Sequence, residues 1–290
     1  MNEKIELGKI NQLKISYKAD PGLYLIARNE EKVLLPNAYC LPTMEDGLTI
    51  NVFVYKDSED RLVATTLTPF AKLNEIASLR VTDVTKIGAF CNWGLPKELF
   101  VPNLFQRTPF EVGEERIIMV IKDKRTDRLV GTQKYEKYLS QKKPNYRVGE
   151  KLNSIIVSKT PLGYKAIIEN KFEGLLYEDE IFENIKVGQE KEIYIKKVRE
   201  DGKIDLSLTP ITNKDEFAKE AILEALRKND YSLNLTTKSP PEEIYELVKL
   251  SKKNFKKAYN ELLNEGVITP TNSGFSFLTA SKHSKKLPKV

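Results

Sequence analysis

The stretch Gly88-Ala-Phe-Cys-Asn-Trp-Gly-Leu-Pro-Lys-Glu-Leu-Phe-Val-Pro102 contains two short β segments separated by turn-forming residues. Another β segment precedes it at residues 79–84, and two more follow at residues 115–122 and 127–132. Five strands within about 60–70 residues, with no long helix between them, are typical of a small closed barrel of the OB type. The same spacing argues against a parallel α/β sheet, which needs a helix between successive strands.

The pattern of this stretch occurs three times along the chain. Three punctuating residues of the first copy recur 66 residues later, so that Gly22, Pro36 and Gly47 become Gly88, Pro102 and Gly113. The two glycines recur again 75 residues further on, as Gly163 and Gly188. Residues 201–210 match residues 60–69 at a spacing of 141, which equals the two offsets combined. Self-similarity of this kind predicts tandem copies of one structural unit.

The last quarter of the chain has a helical pattern instead. Capping residues at Asn213, Ser239 and Ser251 each precede an apolar stripe with helical spacing, which predicts three helices. Residues 231–235 alternate like a strand, and Asn272-Ser-Gly274 predicts the turn of a β-hairpin. This order of elements is typical of a winged helix-turn-helix domain.

The predicted fold class is therefore mainly β plus α, with three tandem five-stranded OB barrels and a C-terminal winged helix-turn-helix domain. We expect a first barrel at 1–69, a second at 70–139, a basic linker at 140–147, a third barrel at 148–210, a winged-helix domain at 211–281 and a basic tail at 282–290.

The composition of the 290 residues favours a binding protein over an enzyme. Two cysteines give no disulfide framework and indicate a reducing cytoplasm. The single histidine, His283, and the lack of a Cys/His cluster leave no zinc site and little basis for histidine catalysis. No phosphate-binding loop, secretory signal or membrane span is visible. We therefore expect a cytoplasmic protein with no catalytic residues, no metal, no cofactor, no small-molecule substrate and no membrane partner.

The net charge of +6 is unevenly distributed. The positive excess lies in the middle of the chain, in the segment around Lys142, Lys143 and Arg147, and in the lysine-rich tail. A local basic stripe on a nearly neutral chain is typical of nucleic-acid binding. Charge alone is equally compatible with an ordinary solvated surface.

The repeats resemble the S1 RNA-binding motif, which is a five-stranded OB barrel. The segment Ile87-Gly-Ala-Phe-Cys91 is similar to the Gly-Ala-Phe-Val of that motif, and Glu98–Pro102 and Val112-Gly113 follow it. Three such barrels followed by a winged helix are similar to the conserved virulence factor B family of bacterial RNA-binding regulators. This resemblance implies a cytoplasmic, non-enzymatic protein that binds single-stranded RNA and regulates gene expression after transcription.

The resemblance also implies candidate contact residues. OB barrels bind single strands with aromatic rings that stack on bases and basic groups that hold phosphates. In the second barrel the motif places RNA contacts at Phe90, Asp123 and Arg128, while Trp93 is either a rim stacker or a core plug. The corresponding positions are Tyr24, Asp57 and Arg61 in the first barrel, and Lys165, Tyr177, Arg199 and Lys203 in the third. For Tyr24 and Tyr177 a place in the barrel core is an equally good interpretation.

The basic side chains outside the barrels are further candidates. The segment directly after the second barrel contains Lys142, Lys143 and Arg147. We expect these side chains to contact the phosphates of RNA. In the winged helix, outward-facing lysines near the start of the third helix are expected to contact nucleic acid as a recognition helix does. These are Lys252, Lys253, Lys256 and Lys257, for which a solvated amphipathic face is the alternative.

Two other functions stay open at this point. The winged helix would also suit a DNA-binding transcription regulator. The barrels would also suit a nuclease, or a ribosome-associated or RNA-processing factor, in which they serve as accessories.

Overall fold

The computed structural model describes residues 1–210 and 214–278, with side chains for all of these except 214–216. The predicted cap at Asn213, the histidine His283 and the predicted basic tail lie outside the described residues. The first barrel consists of β1 (Ile10–Ala19), β2 (Gly22–Ile26), β3 (Lys32–Pro36), β4 (Thr49–Lys56) and β5 (Leu62–Thr65). The second consists of β6 (Ile76–Thr85), β7 (Gly88–Asn92), β8 (Leu99–Pro102), β9 (Glu115–Lys122) and β10 (Leu129–Thr132).

The third barrel consists of β11 (Lys151–Thr160), β12 (Gly163–Ile168), β13 (Phe172–Tyr177), β14 (Glu190–Val198) and β15 (Ile204–Ser207). The first barrel is closed in the order β1-β2-β3-β5-β4, and the third is closed in the matching order β11-β12-β13-β15-β14. In the second, the ladder order is β10-β9-β6-β7-β8, so the barrel is nearly closed. The predicted fold class, with three five-stranded barrels, is confirmed.

The first repeated glycine is required by a close approach between two strands. Gly22, Gly88 and Gly163 begin the second strand of their barrels and lie opposite Pro36, Pro102 and Tyr177 on the third strand. A Cβ atom at these glycines would lie 2.0, 2.5 and 2.0 Å from the carbonyl oxygens of Leu35, Val101 and Leu176. A methyl group does not fit there, and this explains why glycine recurs at this spacing.

The second repeated glycine holds a β-bulge in the first strand of each barrel. Gly47, Gly113 and Gly188 have φ angles of +88°, +92° and +90°, which favour glycine. Their amides donate to the carbonyls of Ile15, Val81 and Ile156 at 2.9, 2.8 and 2.8 Å. In each barrel the register of the first strand shifts directly after the accepting residue.

The first two barrels share a hydrophobic core. Phe53 of β4 packs edge-to-face against Trp93, which follows β7, with ring centroids 5.8 Å apart. Two polar contacts also cross the junction. The Lys97 ammonium donates to the carbonyl of Asp57 at 2.6 Å, and the Arg128 guanidinium pairs with Asp60 at 3.0 Å. The two barrels are therefore packed together as one unit.

The second and third barrels meet through an apolar cluster on the outer face of β9. Its side chains on the second barrel include Ile117, Met119 and Ile121, and on the third barrel Ile155 and Ile167. All five side chains are buried. The amide of Ile76 also donates to the side chain of Asn170 at 2.8 Å across this interface.

The C-terminal domain has the predicted winged-helix order. It contains α1 (Lys214–Lys228), β16 (Ser232–Leu233), α2 (Pro241–Val248), α3 (Lys252–Asn264), β17 (Ile268–Pro270) and β18 (Phe275–Phe277). Ser251 caps α3 as predicted, because its hydroxyl accepts a hydrogen bond from the amide of Asn254. The predicted cap at Ser239 is wrong. Pro240 precedes α2 without a side-chain cap, and the Ser239 hydroxyl accepts from the amide of Thr236 instead.

Gly163→Ala is expected to destabilise the protein more than Gly149→Ala does. Both glycines have a positive φ, so each substitution strains the backbone by about 1–3 kcal/mol. Only at Gly163 does the new methyl group also meet a carbonyl oxygen, at 2.0 Å, whereas nothing lies within 4 Å at Gly149. Overpacking should add about 1–3 kcal/mol to the loss at Gly163. Urea unfolding followed by circular dichroism checks this, and equal losses for both variants would contradict it.

Candidate nucleic-acid interface

Two aromatic rings lie side by side on the outer face of the second barrel. Phe90 of β7 is directly opposite Phe100 of β8, and their ring centroids are 5.1 Å apart. Both rings are half-buried. A Cβ on Gly88 would lie 2.6 Å from the Phe100 ring, so this glycine also makes room for the aromatic pair. The rings form a platform on which a base can stack.

A cation lies in the neighbouring row of the same face. Arg80 of β6 is opposite Asn92 of β7, two residues along the strand from Phe90. Arg80 is exposed, and within the described part of the chain it forms no ion pair. Opposite Phe90 itself lies Asp83. The platform therefore has a free guanidinium on one side and a carboxylate on the other.

Trp93 does not belong to this platform, and its prediction as an RNA contact is wrong. The side chain is only 3% exposed. Its indole N–H donates to the carbonyl of Lys97 at 2.6 Å, and the ring packs against Phe53 of the first barrel. Strand alternation places Trp93 on the same side as Ala89 and Cys91, which are also buried. Of the two interpretations offered for Trp93, a rim stacker or a core plug, the structure supports the core plug.

The predicted acidic contact of the second barrel is part of a turn. The Asp123 carboxylate accepts hydrogen bonds from the Thr126 hydroxyl at 2.7 Å and from the amide of Arg125 at 3.2 Å. These bonds hold the pKa of Asp123 below its ordinary value. Arg128 reaches across to Asp60 of the first barrel and does not pair with Asp123. The structure therefore gives both residues a structural partner.

Asp57, the corresponding residue of the first barrel, also lies in a turn. The carboxylate of Asp57 pairs with the Arg61 guanidinium at 2.7 Å and accepts from the Arg61 amide at 3.0 Å. Burial opposes ionisation of Asp57, but these hydrogen bonds lower its pKa on balance. The structure thus brings Asp57 and Arg61 together, as a pair that closes the β4–β5 hairpin.

Tyr24 of the first barrel is at the position of Phe90. It is half-buried on the outer face and does not enter the core. Its ring stacks on that of Tyr17 from β1, with centroids 4.8 Å apart and planes inclined by 22°. Tyr17 escapes prediction from sequence because the bulge after Ile15 breaks the alternation on which such a prediction depends.

The outer face of the third barrel differs from the other two. Lys165 is at the position of Phe90 and Tyr24, but it pairs with Glu173 at 2.7 Å. The neighbouring residues Ile155 and Ile167 are buried against the second barrel. Lys165 therefore offers a paired ammonium in place of an aromatic ring, and its contact with RNA stays a prediction.

Tyr177 and Arg199 of the third barrel are brought together by Asp205. The Arg199 guanidinium donates to the Asp205 carboxylate at 2.8–2.9 Å and also to the Tyr177 hydroxyl. Lys196 lies over the Tyr177 ring, 5.5 Å from its centroid. Tyr177 is half-buried outside the core, with a cation on its ring. Lys203 is exposed and pairs with Asp201 at 3.0 Å.

The basic side chains of the predicted linker are exposed, but acidic side chains lie near them. Lys142 and Lys143 line a cleft whose other walls include Glu136, Glu173 and Asp201. Arg147 is exposed as well. The carboxylates around this cleft offset the positive charge seen in the sequence.

The lysines of α3 lie on its outer side, since Phe255, Ala258 and Leu262 face the core. Lys253, Lys256 and Lys257 are exposed, whereas Lys252 is half-buried and donates to the carbonyl of Lys238. Lys253 lines a cleft between the winged helix and the third barrel. Asp179 and Glu180 of the barrel line the same cleft.

Two family models match parts of the chain. An S1 domain matches residues 7–67, and a CvfB-like winged helix domain matches residues 220–276. The chain is thus a multidomain protein built from S1-type barrels and a winged helix, both of which are nucleic-acid-binding types. The matches confirm the resemblance to the conserved virulence factor B family that was predicted from the sequence.

Relatives match most of the length of the chain. An uncharacterised Bacillus subtilis protein, YitL, is 25% identical over 281 residues, which is 93% of each chain. Conserved virulence factor B of Staphylococcus saprophyticus is 24% identical over 283 residues, or 92% of this chain and 93% of the relative. A solved Streptococcus pneumoniae multidomain protein with nucleic acid binding domains is 25% identical, with a TM-score of 0.41. That likeness covers 94% of this chain and 98% of the other.

The described residues offer neither a membrane span nor a metal site. Across residues 1–210 and 214–278, no helix is long and apolar enough to cross a membrane. In the same residues, no group of three or more His, Cys, Asp or Glu side chains could hold a metal ion. Burial raises the pKa of the Cys91 thiol to about 12, so this cysteine stays protonated.

Trp93 is the only tryptophan, so its fluorescence reports on its own surroundings. Because the ring is buried between two barrels, we expect blue-shifted emission and weak quenching by acrylamide. Saturating the protein with RNA should leave the emission unchanged, since no base reaches the indole. Strong quenching by a single-stranded oligonucleotide would show instead that Trp93 stacks on bases.

Proposed function

We propose that the protein binds single-stranded RNA on the outer faces of its barrels and regulates gene expression after transcription. The Phe90–Phe100 pair carries this proposal. The two rings are 5.1 Å apart and partly exposed, and the exposed Arg80 lies in the neighbouring row of the same face. A base stacks on such a ring only when it is free of its own partner strand. This geometry therefore favours an unpaired strand over a duplex.

The cytoplasm is the compartment that we propose for this activity. Both cysteines are free thiols, as expected in a reducing environment. The matched domains are nucleic-acid-binding types and not enzyme families, which supports a binding protein over a nuclease or RNA-processing enzyme.

DNA binding through the winged helix is the second candidate. The observation in its favour is the row of exposed lysines on α3. The cleft beside Lys253 is also lined by Asp179 and Glu180 of the third barrel. A DNA duplex that entered along α3 would bring its phosphates close to these carboxylates. We therefore rank duplex DNA below single-stranded RNA.

The choice between these ligands can be tested with the full chain. We expect single-stranded RNA to bind at least about fivefold more tightly than an RNA or DNA duplex of equal length, because one base–ring stack contributes about 1–3 kcal/mol. Fluorescence anisotropy at one fixed salt concentration measures the three affinities. Equal or tighter binding of duplex DNA would favour the winged-helix alternative.

Phe90→Ala and Arg80→Ala should weaken RNA binding in different ways. Loss of the Phe90 ring should lower affinity about 5- to 150-fold and leave the salt dependence nearly unchanged. Loss of the Arg80 charge should weaken binding to all sequences and reduce the salt slope by about 0.7, the value for one phosphate contact on a single strand. Anisotropy titrations over a range of salt concentrations separate the two effects.

Phe70→Ala is the matched control for Phe90→Ala. Phe70 is 60% exposed and lies in the connection between β5 and β6, outside the strands that carry the Phe90–Phe100 pair. Its amide donates to the carbonyl of Trp93, and alanine keeps this bond. The Phe70→Ala protein should bind RNA as the unaltered protein does. A folded Phe90→Ala protein with unchanged affinity would refute the platform, and circular dichroism establishes that the variant is folded.

A further inference from the structure

Tyr17 is turned to the outside of the first barrel by a backbone irregularity. Up to Ile15, the odd-numbered residues of β1 face the core, so regular alternation would bury Tyr17 as well. The bulge between Ile15 and Tyr17 reverses this order, and Tyr17 is 40% exposed. Bulges are known to redirect side chains at functional surfaces.

The barrel fold does not itself require a tyrosine at this place. Tyr17 lies opposite Tyr24 in the first barrel. The corresponding pairs are Asp83 opposite Phe90 in the second barrel and Ser158 opposite Lys165 in the third. The same bulged position therefore holds an aspartate and a serine in the other two barrels, which close without an aromatic ring. The tyrosine pair is specific to the first barrel, and a structural need common to the barrels does not explain it.

Two lysines lie in the row next to the tyrosine pair. Lys14 and Lys32 lie in the adjacent row, on either side of Ile26. The Lys32 ammonium is 5.4 Å from the centroid of the Tyr17 ring. The strands β1, β2 and β3 contain three lysines and no acidic residue. Within residues 1–210 and 214–278, neither Lys14 nor Lys32 pairs with a carboxylate.

We propose that Tyr17, Tyr24, Lys14 and Lys32 form a second nucleotide-binding site on the protein. Its ligand is an unpaired stretch of RNA. One base stacks on the exposed Tyr17 ring, and the two lysines hold the adjoining phosphates. Stacked rings beside unpaired cations provide both contacts that a single strand needs. This site rests on the proposed RNA-binding function and specifies the residues that carry it on the first barrel.

The test uses Tyr17→Ala, Tyr17→Phe and Tyr138→Ala in the full chain, with labelled oligo(U) as the probe. We expect Tyr17→Ala to lower the affinity about 5- to 150-fold, the contribution of one stacked base. Tyr17→Phe keeps the ring and should bind as the unaltered protein does. Tyr138 is the matched control. It is 38% exposed with a lysine over its ring at 5.0 Å, but it lies in a 3-10 turn and not on a barrel face.

The lysines provide an independent measurement. Lys14→Ala and Lys32→Ala should each reduce the salt slope of binding by about 0.7, while Tyr17→Ala leaves the slope unchanged. If Tyr17→Ala fails to fold, these two variants still test the site. Oligo(dT) of equal length serves as a second probe, and tighter binding of oligo(dT) than of oligo(U) would overturn the assignment of RNA as the ligand.

The outcomes separate this site from the proposed function. If the unaltered chain binds neither probe, the RNA-binding proposal fails as a whole. If the unaltered chain binds oligo(U) and Phe90→Ala weakens it, but folded Tyr17→Ala and both lysine variants bind normally, only the site on the first barrel is refuted. Equal losses for Tyr17→Ala and Tyr138→Ala would also refute it, because they would show a nonspecific effect of removing an exposed ring.

Discussion

A hydrogen bond from a glycine amide to the carbonyl at the β-bulge determines the outer face of each barrel. In the first barrel the donor is Gly47 and the acceptor is Ile15, at 2.9 Å. The glycine adopts a positive φ to make this bond, and the first strand gains its extra residue at the same point. Every side chain after the bulge is then reversed relative to the core. The neighbour of the aromatic position is consequently Tyr17, Asp83 or Ser158, and this difference sets the chemistry of the three faces.

Packing between barrels decides which of these faces can meet a ligand. The same row of cross-strand neighbours differs between two barrels. In the first barrel it consists of Lys14, Ile26 and Lys32, and in the third of Ile155, Ile167 and Glu173. Burying a side chain such as isoleucine contributes about 1.5–3 kcal/mol. The row of the third barrel therefore stabilises its contact with β9 of the second barrel. The row of the first barrel has charged ends, remains exposed, and is suited to phosphate. One architecture thus serves as a docking surface in one copy and as a candidate binding surface in another.

The sequence was sufficient to predict the three barrels and the winged helix. The glycines that made the repeats visible are required by the backbone itself, at the β2–β3 contact and at the bulge, so their spacing reflects the fold directly. Side-chain roles were harder to predict, because they depend on neighbouring barrels. Trp93 could not be assigned to the core without knowing that Phe53 of the preceding barrel packs against it. Lys165 likewise looks free in sequence, although Glu173 on the adjacent strand pairs with it.

The distribution of charge shows why net charge is a poor guide to the binding face. At physiological salt a phosphate is influenced mainly by charges within about 8 Å. The carboxylates of the first barrel that pair with cations lie largely in its turns, as Asp57 does with Arg61. The charged residues of β1, β2 and β3 are all lysines. In the predicted linker the opposite holds, because Glu136, Glu173 and Asp201 share a cleft with Lys142 and Lys143. Within the described residues, the lysines beside the tyrosine pair therefore face a phosphate without being paired to a carboxylate, whereas the lysines of the predicted linker share their cleft with several.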